Sequence, residues 1–290
     1  MEEKLERLIK VLKIENPILL LGAGFSYGAY NSYGEVPMGD GLKLKLLSEF
    51  YEGTPAYSEL FHEDLREVCS NIVSDKKEKD LHKFLTSIFK DLNPCEWHLD
   101  FTDYPWKKIY TLNIDDLVEN IYKKNNKKYT VQNVQQKDNK NTGPLLIKLH
   151  GDVNHPDNPY VFDDETYMES NSTKNCSVDS FTYDFYNNDT IFIGTEFNEE
   201  DLISDLIKKQ SSGYRDYKLH FFVVPKINNR KIRSIINERE NYIHIPMETK
   251  EFIEIVKNIV NTQTDFEYLE KELIHSNFIK IGSNFCKKKL

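Results

Sequence analysis

Three short polar segments of the chain carry side chains that could take part in binding or catalysis. In TLNIDD, Asn113 and Asp115 are two residues apart, so both side chains project to the same side of an extended chain. An amide and a carboxylate placed there could bind a carboxamide, hold a water molecule, or do both. In KLHGD, His150 could act as a general base or bond a ribose hydroxyl. In FIGT, Gly194 and Thr195 suit close contact with a ribose.

Each of these residues also has a purely structural interpretation. Asn and Asp are common helix N-caps, so Asp115 or Asp116 could simply begin a helix. His150 could be a hydrogen-bonded structural residue, and Asn198 could cap the helix that follows it. The residues taken singly leave both interpretations open.

A glycine-rich turn follows the first apolar segment, in ILLLGAGFSYG at residues 18–28. Gly22, Gly24 and Gly28 would let the backbone approach phosphate oxygens, and the amides that begin the next helix would point at the negative charge. The spacing is G-x-G-x-x-x-G, and no acidic residue ends a second strand, which disfavours an ordinary nicotinamide dehydrogenase. A phosphate cradle and an ordinary turn both remain open.

The elements that must position these groups are short, almost wholly apolar segments that alternate with helical patterns. Such segments are typical of parallel strands buried on both faces. The sequence therefore predicts an α/β fold with a Rossmann-like, doubly wound, mainly parallel sheet. The carboxyl ends of parallel strands meet at one edge, which would bring the polar segments together. The predicted strands are residues 17–22, 107–112, 129–134, 144–149, 190–194, 218–224 and 242–245.

The domain organisation follows from the same pattern. We expect one domain over residues 1–262, with a helical insertion at about residues 40–105. Residues 263–290 would form a tail or an edge helix, and a polar stretch runs from about residue 155 to 190. With 290 residues, 39% of them apolar, the chain can bury a sizeable core.

Composition excludes several classes of protein. The net charge is −9, from 38 Lys and Arg against 47 Asp and Glu, so we expect no direct nucleic-acid partner. No apolar run approaches the roughly 20 residues of a membrane span. The charged N-terminal segment is no signal peptide, so we expect no membrane contact and a cytoplasmic location. The four cysteines are scattered without a CxxC pair, which predicts no zinc module and no other metal site.

Taken together and in order, GAGFS, TLNID, KLHG and FIGT resemble the sirtuin-like family over about residues 18–260. The resemblance is strongest to the branch of bacterial anti-phage defence proteins that destroy NAD. It implies that Asn113, Asp115 and His150 are catalytic. It also implies that NAD, as the substrate, contacts Gly22, Ala23, Gly24, Ser26, Thr111, Gly194 and Thr195.

One departure from the family bears on the reaction. Protein-deacylating sirtuins carry a zinc module held by two CxxC pairs, and this chain has neither pair. The resemblance therefore implies an NAD⁺ hydrolase that releases nicotinamide and ADP-ribose or a cyclised form. In that hypothesis Asp115 anchors the carboxamide, Asn113 holds the attacking water, and His150 bonds a ribose hydroxyl or helps to deprotonate the nucleophile. A sirtuin-type deacylase and a non-catalytic NAD or ADP-ribose sensor remain alternatives.

The resemblance also bears on regulation. A toxic NAD hydrolase must be inactive until infection, and family members are commonly controlled by oligomerisation, a fused sensor or a separate ATPase. We therefore expect a homo-oligomer or a separate regulatory partner, such as a HerA-like ATPase. The implied role is an anti-phage effector that causes abortive infection by depleting NAD.

Overall fold

The structure is a computed structural model that describes residues 2–132, 143–170, 176–195, 206 and 218–261. Its main sheet has seven strands, all parallel, in the order β5-β6-β4-β1-β7-β8-β9. Strands β2 and β3 form a separate antiparallel hairpin. The strands are β1 Ile18–Leu21, β2 Tyr30–Asn31, β3 Gly34–Glu35, β4 Lys108–Thr111, β5 Thr130–Gln132, β6 Leu145–Lys148, β7 Thr190–Ile193, β8 His220–Val223 and β9 Tyr242–Ile245.

Helices cover both faces of the main sheet. Successive strand side chains point to opposite faces, so Leu19 and Ile109 lie in one buried cluster with residues of α1, α2, α7 and α11. Leu20 and Tyr110 lie in the other, with residues of α9 and α10. The described helices are α1 Glu2–Ile14, α2 Gly39–Tyr51, α3 Pro55–Leu60, α4 Leu65–Ser74, α5 Glu78–Phe89, α6 Glu96–Leu99, α7 Leu117–Lys124, α8 Asp164–Ser170, α9 Cys176–Asn187, α10 Arg230–Asn237 and α11 Thr249–Asn261.

This architecture confirms the predicted doubly wound parallel sheet. The direction of winding changes at β1, which pairs with β4 on one side and with β7 on the other. From β1 the chain first adds β4 and its neighbours, and it later crosses back to β7, β8 and β9. Ligands of open α/β sheets bind outside the carboxyl ends of the strands at such a switch point.

Two parts of the described chain differ from the sequence prediction. The β2–β3 hairpin has strands of only two residues, too short to give an alternating apolar pattern. The polar stretch expected at about 155–190 contains α8 and α9, and the apolar side of α9 is carried mainly by Phe181 and Phe185, both buried. Two aromatic residues four apart are a weak periodic signal in a polar segment.

Several predictions fall outside the described residues. They are the end of the 129–134 strand, Asn198 with the helix that it could cap, of which only residue 206 is described, and the tail at 263–290. Among the helices that the structure does describe, none combines the length and the apolar character needed to cross a bilayer.

Candidate functional site

The loop after β1 packs directly against the loop after β7. Gly22 N donates to Ile193 O at 3.0 Å, and Gly24 N donates to Gly194 O at 2.7 Å. A Cβ on Gly22 would lie 2.6 Å from Gly194 O, and one on Gly24 would lie 2.9 Å from Gly194 Cα. The glycines of the turn are therefore needed for contact between two loops of the protein.

The helix expected after this turn is a single 3₁₀ turn, Ala23–Ser26. Two amides of this turn already have partners inside the protein, because Gly24 N bonds Gly194 O and Phe25 N bonds Gly22 O at 2.9 Å. The tight contact with the loop after β7 leaves no room for a regular helix start here. Ala23 is the exposed residue of the turn, and Gly24 is half-buried.

Ser26, Asn113 and Asp115 form one hydrogen-bonded group across the ends of β1 and β4. The Ser26 hydroxyl, 1% exposed, donates to Asp115 Oδ2 at 2.6 Å. Asn113 Nδ2 donates to Ser26 Oγ at 3.0 Å and to Gly22 O at 3.1 Å. The amide of Asn113 thus links the polar group to the glycine turn. Asn113 itself is half-buried, which leaves part of its side chain accessible.

Asp115 is deeply buried, and its environment acts on its carboxylate in opposing ways. Burial raises the pKa of Asp115 above its usual value, although the hydrogen bond from Ser26 and the charge of Lys148 oppose that effect. Oδ1 accepts from Leu117 N at 3.1 Å, so Asp115 also holds the first turn of α7. The structural interpretation of this residue is therefore correct, and it coexists with the contact to Ser26.

Asp116 and Thr111 have structural partners. The buried Asp116 accepts from Asp91 N at 2.8 Å and from Leu92 N at 3.0 Å, which ties the start of α7 to the loop after α5. Thr111 is also buried, and its Oγ1 accepts from Asn113 N at 3.0 Å. Thr111 therefore fixes the backbone that presents Asn113.

His150 follows β6 and is 5% exposed. Its ring packs edge-to-face on Tyr167 of α8, with centroids 5.4 Å apart, and the Arg66 guanidinium lies 3.9 Å from the Tyr167 ring centroid. Gly151 has a φ of +107°, and a Cβ there would lie 2.9 Å from Tyr160 Cδ1, so glycine is required after His150. No pattern in the sequence indicated the contact with Tyr167.

The predicted site residues thus fall into connected groups. Gly22, Gly24, Gly194 and the buried Thr195 pack together, and a Cβ on Gly22 would lie 2.8 Å from Thr195 Cα. Asn113 joins this contact to Ser26 and Asp115. The loop that bears His150 is held beside them because Val153 N donates to Ile114 O at 2.9 Å. Which of these residues touch a ligand stays a prediction.

Lys148, Glu119 and Asp152 form a buried charge cluster beside the site, which sequence reasoning missed. Lys148 Nζ lies 2.7 Å from Glu119 Oε1 and 2.8 Å from Asp152 Oδ1, and the three side chains are nearly inaccessible. Burial raises the pKa of Glu119 and is only partly offset by Lys148. For Asp152, burial is outweighed by Lys148 and hydrogen bonds, and its pKa falls. Glu119 lies on helix α7, and a glutamate on a helix is normally solvated. Its position in the sequence therefore did not indicate that it is buried.

His98 is hydrogen-bonded to the glycine turn, and the sequence analysis did not identify it either. Cys95 N donates to its Nδ1 at 3.0 Å, so Nε2 carries the proton that bonds Phe25 O at 2.8 Å. Burial lowers the pKa of His98 to about 4, against the opposing effect of the Phe25 carbonyl. The ring is therefore neutral in the folded protein at neutral pH.

The arrangement of possible metal ligands bears on whether the site could hold a metal ion. Over residues 2–132, 143–170, 176–195, 206 and 218–261, no three His, Cys, Asp or Glu side chains are grouped so that they could hold a metal ion.

Comparison with known proteins identifies the relatives of this site. Residues 107–246 match the family model described as a SIR2-like domain. The chain is 26% identical over 150 residues to the NAD(+) hydrolase ThsA of Bacillus cereus (strain MSX-D12), and the match covers 50% of this chain and 31% of that protein. The chain thus spans only about a third of this curated relative.

A solved structure extends the similarity of fold to most of the chain. A mutant Sir2 homologue in complex with 2'-O-acetyl ADP ribose superposes with a TM-score of 0.50 at 14% identity, covering 90% of this chain and 98% of that one. At this identity the likeness concerns the fold alone. Together with the matched domain, it agrees with the ordered motifs GAGFS, TLNID, KLHG and FIGT. Residues 107–246 of the chain are therefore similar to a SIR2-like domain, and the chain resembles the sirtuin-like family.

Proposed function

We propose that this protein is an NAD⁺ hydrolase that cleaves the bond between nicotinamide and ribose. The observation that carries the proposal is the group of Ser26, Asn113 and Asp115, which comes from two strand ends and meets at the switch point of the sheet. The similarity to a protein named as an NAD(+) hydrolase supports the same substrate. The products would be nicotinamide and ADP-ribose or a cyclised form.

The bond itself sets what the protein must supply. Nicotinamide in NAD⁺ is a cationic ring on an anomeric carbon, so it departs as a neutral base and needs no general acid. Positive charge then develops on the ribose, as in the oxocarbenium-like transition state of glycoside hydrolysis. The site must hold the nicotinamide and the ribose and must place a water molecule at the anomeric carbon.

The hydrogen bonds around Asn113 give its side chain a fixed direction. Its Nδ2 donates to Gly22 O and Ser26 Oγ, and Ser26 in turn donates to Asp115. Both N–H donors of the Asn113 amide are therefore used, and its Oδ1 is the atom that can accept a hydrogen bond from the attacking water. Asp115 keeps this order because its carboxylate accepts the hydrogen bond from the Ser26 hydroxyl.

Asp115 and His150 have less direct access to solvent than Asn113. In the proposal Asp115 receives the nicotinamide carboxamide at the edge of the group. His150 bonds a ribose hydroxyl or takes the proton of the nucleophile. Loss of a general base lowers rates by about 10²- to 10⁴-fold, so removal of His150 should nearly abolish turnover.

The test is release of nicotinamide from NAD⁺ by the purified protein, with Asn113→Ala and His150→Ala as the perturbations. Matched controls are Asn187→Ala and His62→Ala, which replace exposed residues of the same types. We expect both site variants to lose at least about 10²-fold in rate while they keep the wild-type melting temperature. Full activity in both site variants would refute the assignment. Release that needs an acylated peptide would indicate a deacylase, and binding of NAD⁺ without release would indicate a sensor.

We also propose the biological setting that the defence-branch motifs imply. The protein would act in the cytoplasm as an anti-phage effector, deplete NAD⁺ and so abort infection. A homo-oligomer or a separate regulatory ATPase of the HerA type would control it. Assays over a range of protein concentrations, with and without such an ATPase, test this control. A specific activity independent of concentration and of the ATPase would contradict it.

A further inference from the structure

Lys148 is a buried cation whose oxygen partners lie on three different elements. Its Nζ donates to Asp115 O at 2.7 Å in the loop after β4 and to Asp152 Oδ1 at 2.8 Å in the loop after β6. Glu119 Oε1 lies 2.7 Å away on α7. A fourth oxygen, Ile114 O in the loop after β4, lies 3.4 Å from Nζ, so acceptors surround the three N–H donors of the ammonium group.

The two loops that Lys148 joins carry the candidate catalytic side chains. The loop after β4 presents Asn113 and Asp115, and the loop after β6 presents His150. Only one other described backbone hydrogen bond, Val153 N to Ile114 O, directly joins the stretch 113–116 to the stretch 150–154. The pairing of β4 with β6 sets the two strand ends, and beyond them Lys148 and this backbone bond hold the two loops together.

The partner side of the cluster is fixed as well. Asp152 Oδ1 also accepts from Asn154 N at 3.0 Å, and its Oδ2 lies 2.8 Å from Nδ1 of the largely exposed His155. Asp152 thus turns its loop back towards Lys148 two residues after His150. Neither buried carboxylate oxygen of Glu119 has a hydrogen-bond partner among the described residues, so the charge of Lys148, whose Nζ lies 2.7 Å from Oε1, is the principal counter-charge of Glu119.

Burying one cation with two carboxylates is a poor way to gain stability alone. Desolvation of such groups commonly cancels their attraction, and apolar replacements of equal volume are often neutral or stabilising. A buried group of this kind is better explained by geometric specificity, since one ammonium group holds oxygens of two loops and of α7 close together.

We propose that Lys148 is a positioning residue that sets the placement of the Asn113 loop relative to the His150 loop during NAD⁺ cleavage. The catalytic part of this inference rests on the proposed function. The placement of the loops does not. None of the described hydrogen bonds joins Lys148 to the side chain of Asn113 or His150. Lys148 instead bonds the backbone oxygen of Asp115 and the side chain of Asp152.

The test compares two Lys→Met replacements in the full chain. Lys148→Met is made together with Glu119→Gln, so that fewer unpaired charges stay buried. Lys108→Met is the matched control, because Lys108 pairs with the buried Asp184 at 2.5 Å but lies at the amino end of β4, away from the site. Binding stoichiometry for ADP-ribose, measured by calorimetry, gives the active fraction of each protein.

We expect kcat per binding site to fall by about 10²-fold in the Lys148→Met, Glu119→Gln variant, since small misplacements of catalytic groups have effects of that size. KM should stay within about threefold, because the glycine turn is untouched. A purely structural role would instead lower the binding stoichiometry and leave kcat per site unchanged. The Lys108→Met protein should keep wild-type kcat per site.

Hydrogen exchange supplies a readout that does not depend on activity. In the Lys148 variant, the amides of residues 114–117 and 150–153 should exchange faster, and the Lys108→Met protein should not show this. If the wild type releases no nicotinamide, the proposed function fails while faster exchange still supports the positioning role. Wild-type exchange in both segments, or unchanged kcat per site in an active protein, would overturn the inference.

Discussion

Replacement of Gly194 by alanine tests the contact between the loops after β1 and β7. The Cβ of Gly194→Ala would lie 2.5 Å from Phe25 N and 2.8 Å from Gly24 C. Both neighbours are backbone atoms, so no flexible side chain can move aside. Gly194 also has a φ of +66°, where an L side chain is strained. The variant should therefore force the glycine turn away from the loop after β7.

The size of the effect follows from two contributions. A side chain at positive φ costs about 1–2 kcal/mol, and forced overpacking adds about 1–3 kcal/mol. Gly194→Ala should therefore lower the free energy of unfolding by about 2–5 kcal/mol. Gly53→Ala is the matched control, because Gly53 has a φ of +75° and nothing within 4 Å of its added Cβ. The control should show the first contribution alone.

Urea denaturation followed by circular dichroism measures both free energies, and calorimetric titration with ADP-ribose measures binding. Gly194→Ala should be less stable than Gly53→Ala by about 1–3 kcal/mol and should bind ADP-ribose more weakly. The control should bind as the wild type does. Equal destabilisation by the two replacements, with unchanged binding in both, would refute the argument that these loops must meet to form the site.

Two further predictions concern neighbours of the site. Burial lowers the pKa of His98 from 6.5 to about 4, so the unfolded chain binds a proton before the folded protein does. The contribution of the neutral His98 to the free energy of unfolding, about 3 kcal/mol, should be complete above pH 6.5. It should be lost progressively as the pH falls towards about 4. Urea denaturation against pH should show a shallower loss in His98→Gln, and an identical profile would contradict the assignment. Tyr167→Leu removes the edge-to-face contact with His150, worth about 0.5–1.5 kcal/mol. It should lower kcat/KM for NAD⁺ by about 2- to 13-fold, while Tyr167→Phe stays near wild type, and equal rates in the two variants would speak against it.

Most of the main sheet could be predicted from the sequence because its strands are buried on both faces. Segments such as ILLL at β1 and TIFI at β7 are almost wholly apolar, which is typical of strands in a parallel sheet. The hairpin of β2 and β3 could not be predicted in this way. Its strands are two residues long, and backbone pairing to Asn93 helps to hold it, a contact that local sequence does not encode.

The candidate site was predictable where chemistry and strand ends coincide. Asn113 and Asp115 closely follow the buried strand β4, whereas Ser26 was expected only from the family resemblance, and the structure joins the three by hydrogen bonds. The supporting residues gave no comparable signal. Lys148 and Glu119 are 29 positions apart and meet only through the packing of α7 on β6. Nothing in the sequence separates them from solvated charges.

The structure assigns partners to two amides of the glycine turn. Gly24 N and Phe25 N bond protein carbonyls, and the binding of an anion by this turn stays a prediction. The pattern GAGFS shows that glycine is needed, but it does not show which neighbour requires the close approach. That neighbour is Gly194, more than 160 positions away in the chain.

The most direct test of the central claim is the amount of nicotinamide released when the purified protein is incubated with NAD⁺ and no peptide. We expect one nicotinamide to be released for each NAD⁺ consumed. The rate of release should be nearly abolished by Asn113→Ala and unchanged by Asn187→Ala. Release that persists in Asn113→Ala at the wild-type rate, or no release by the wild type at any protein concentration despite NAD⁺ binding, would contradict it.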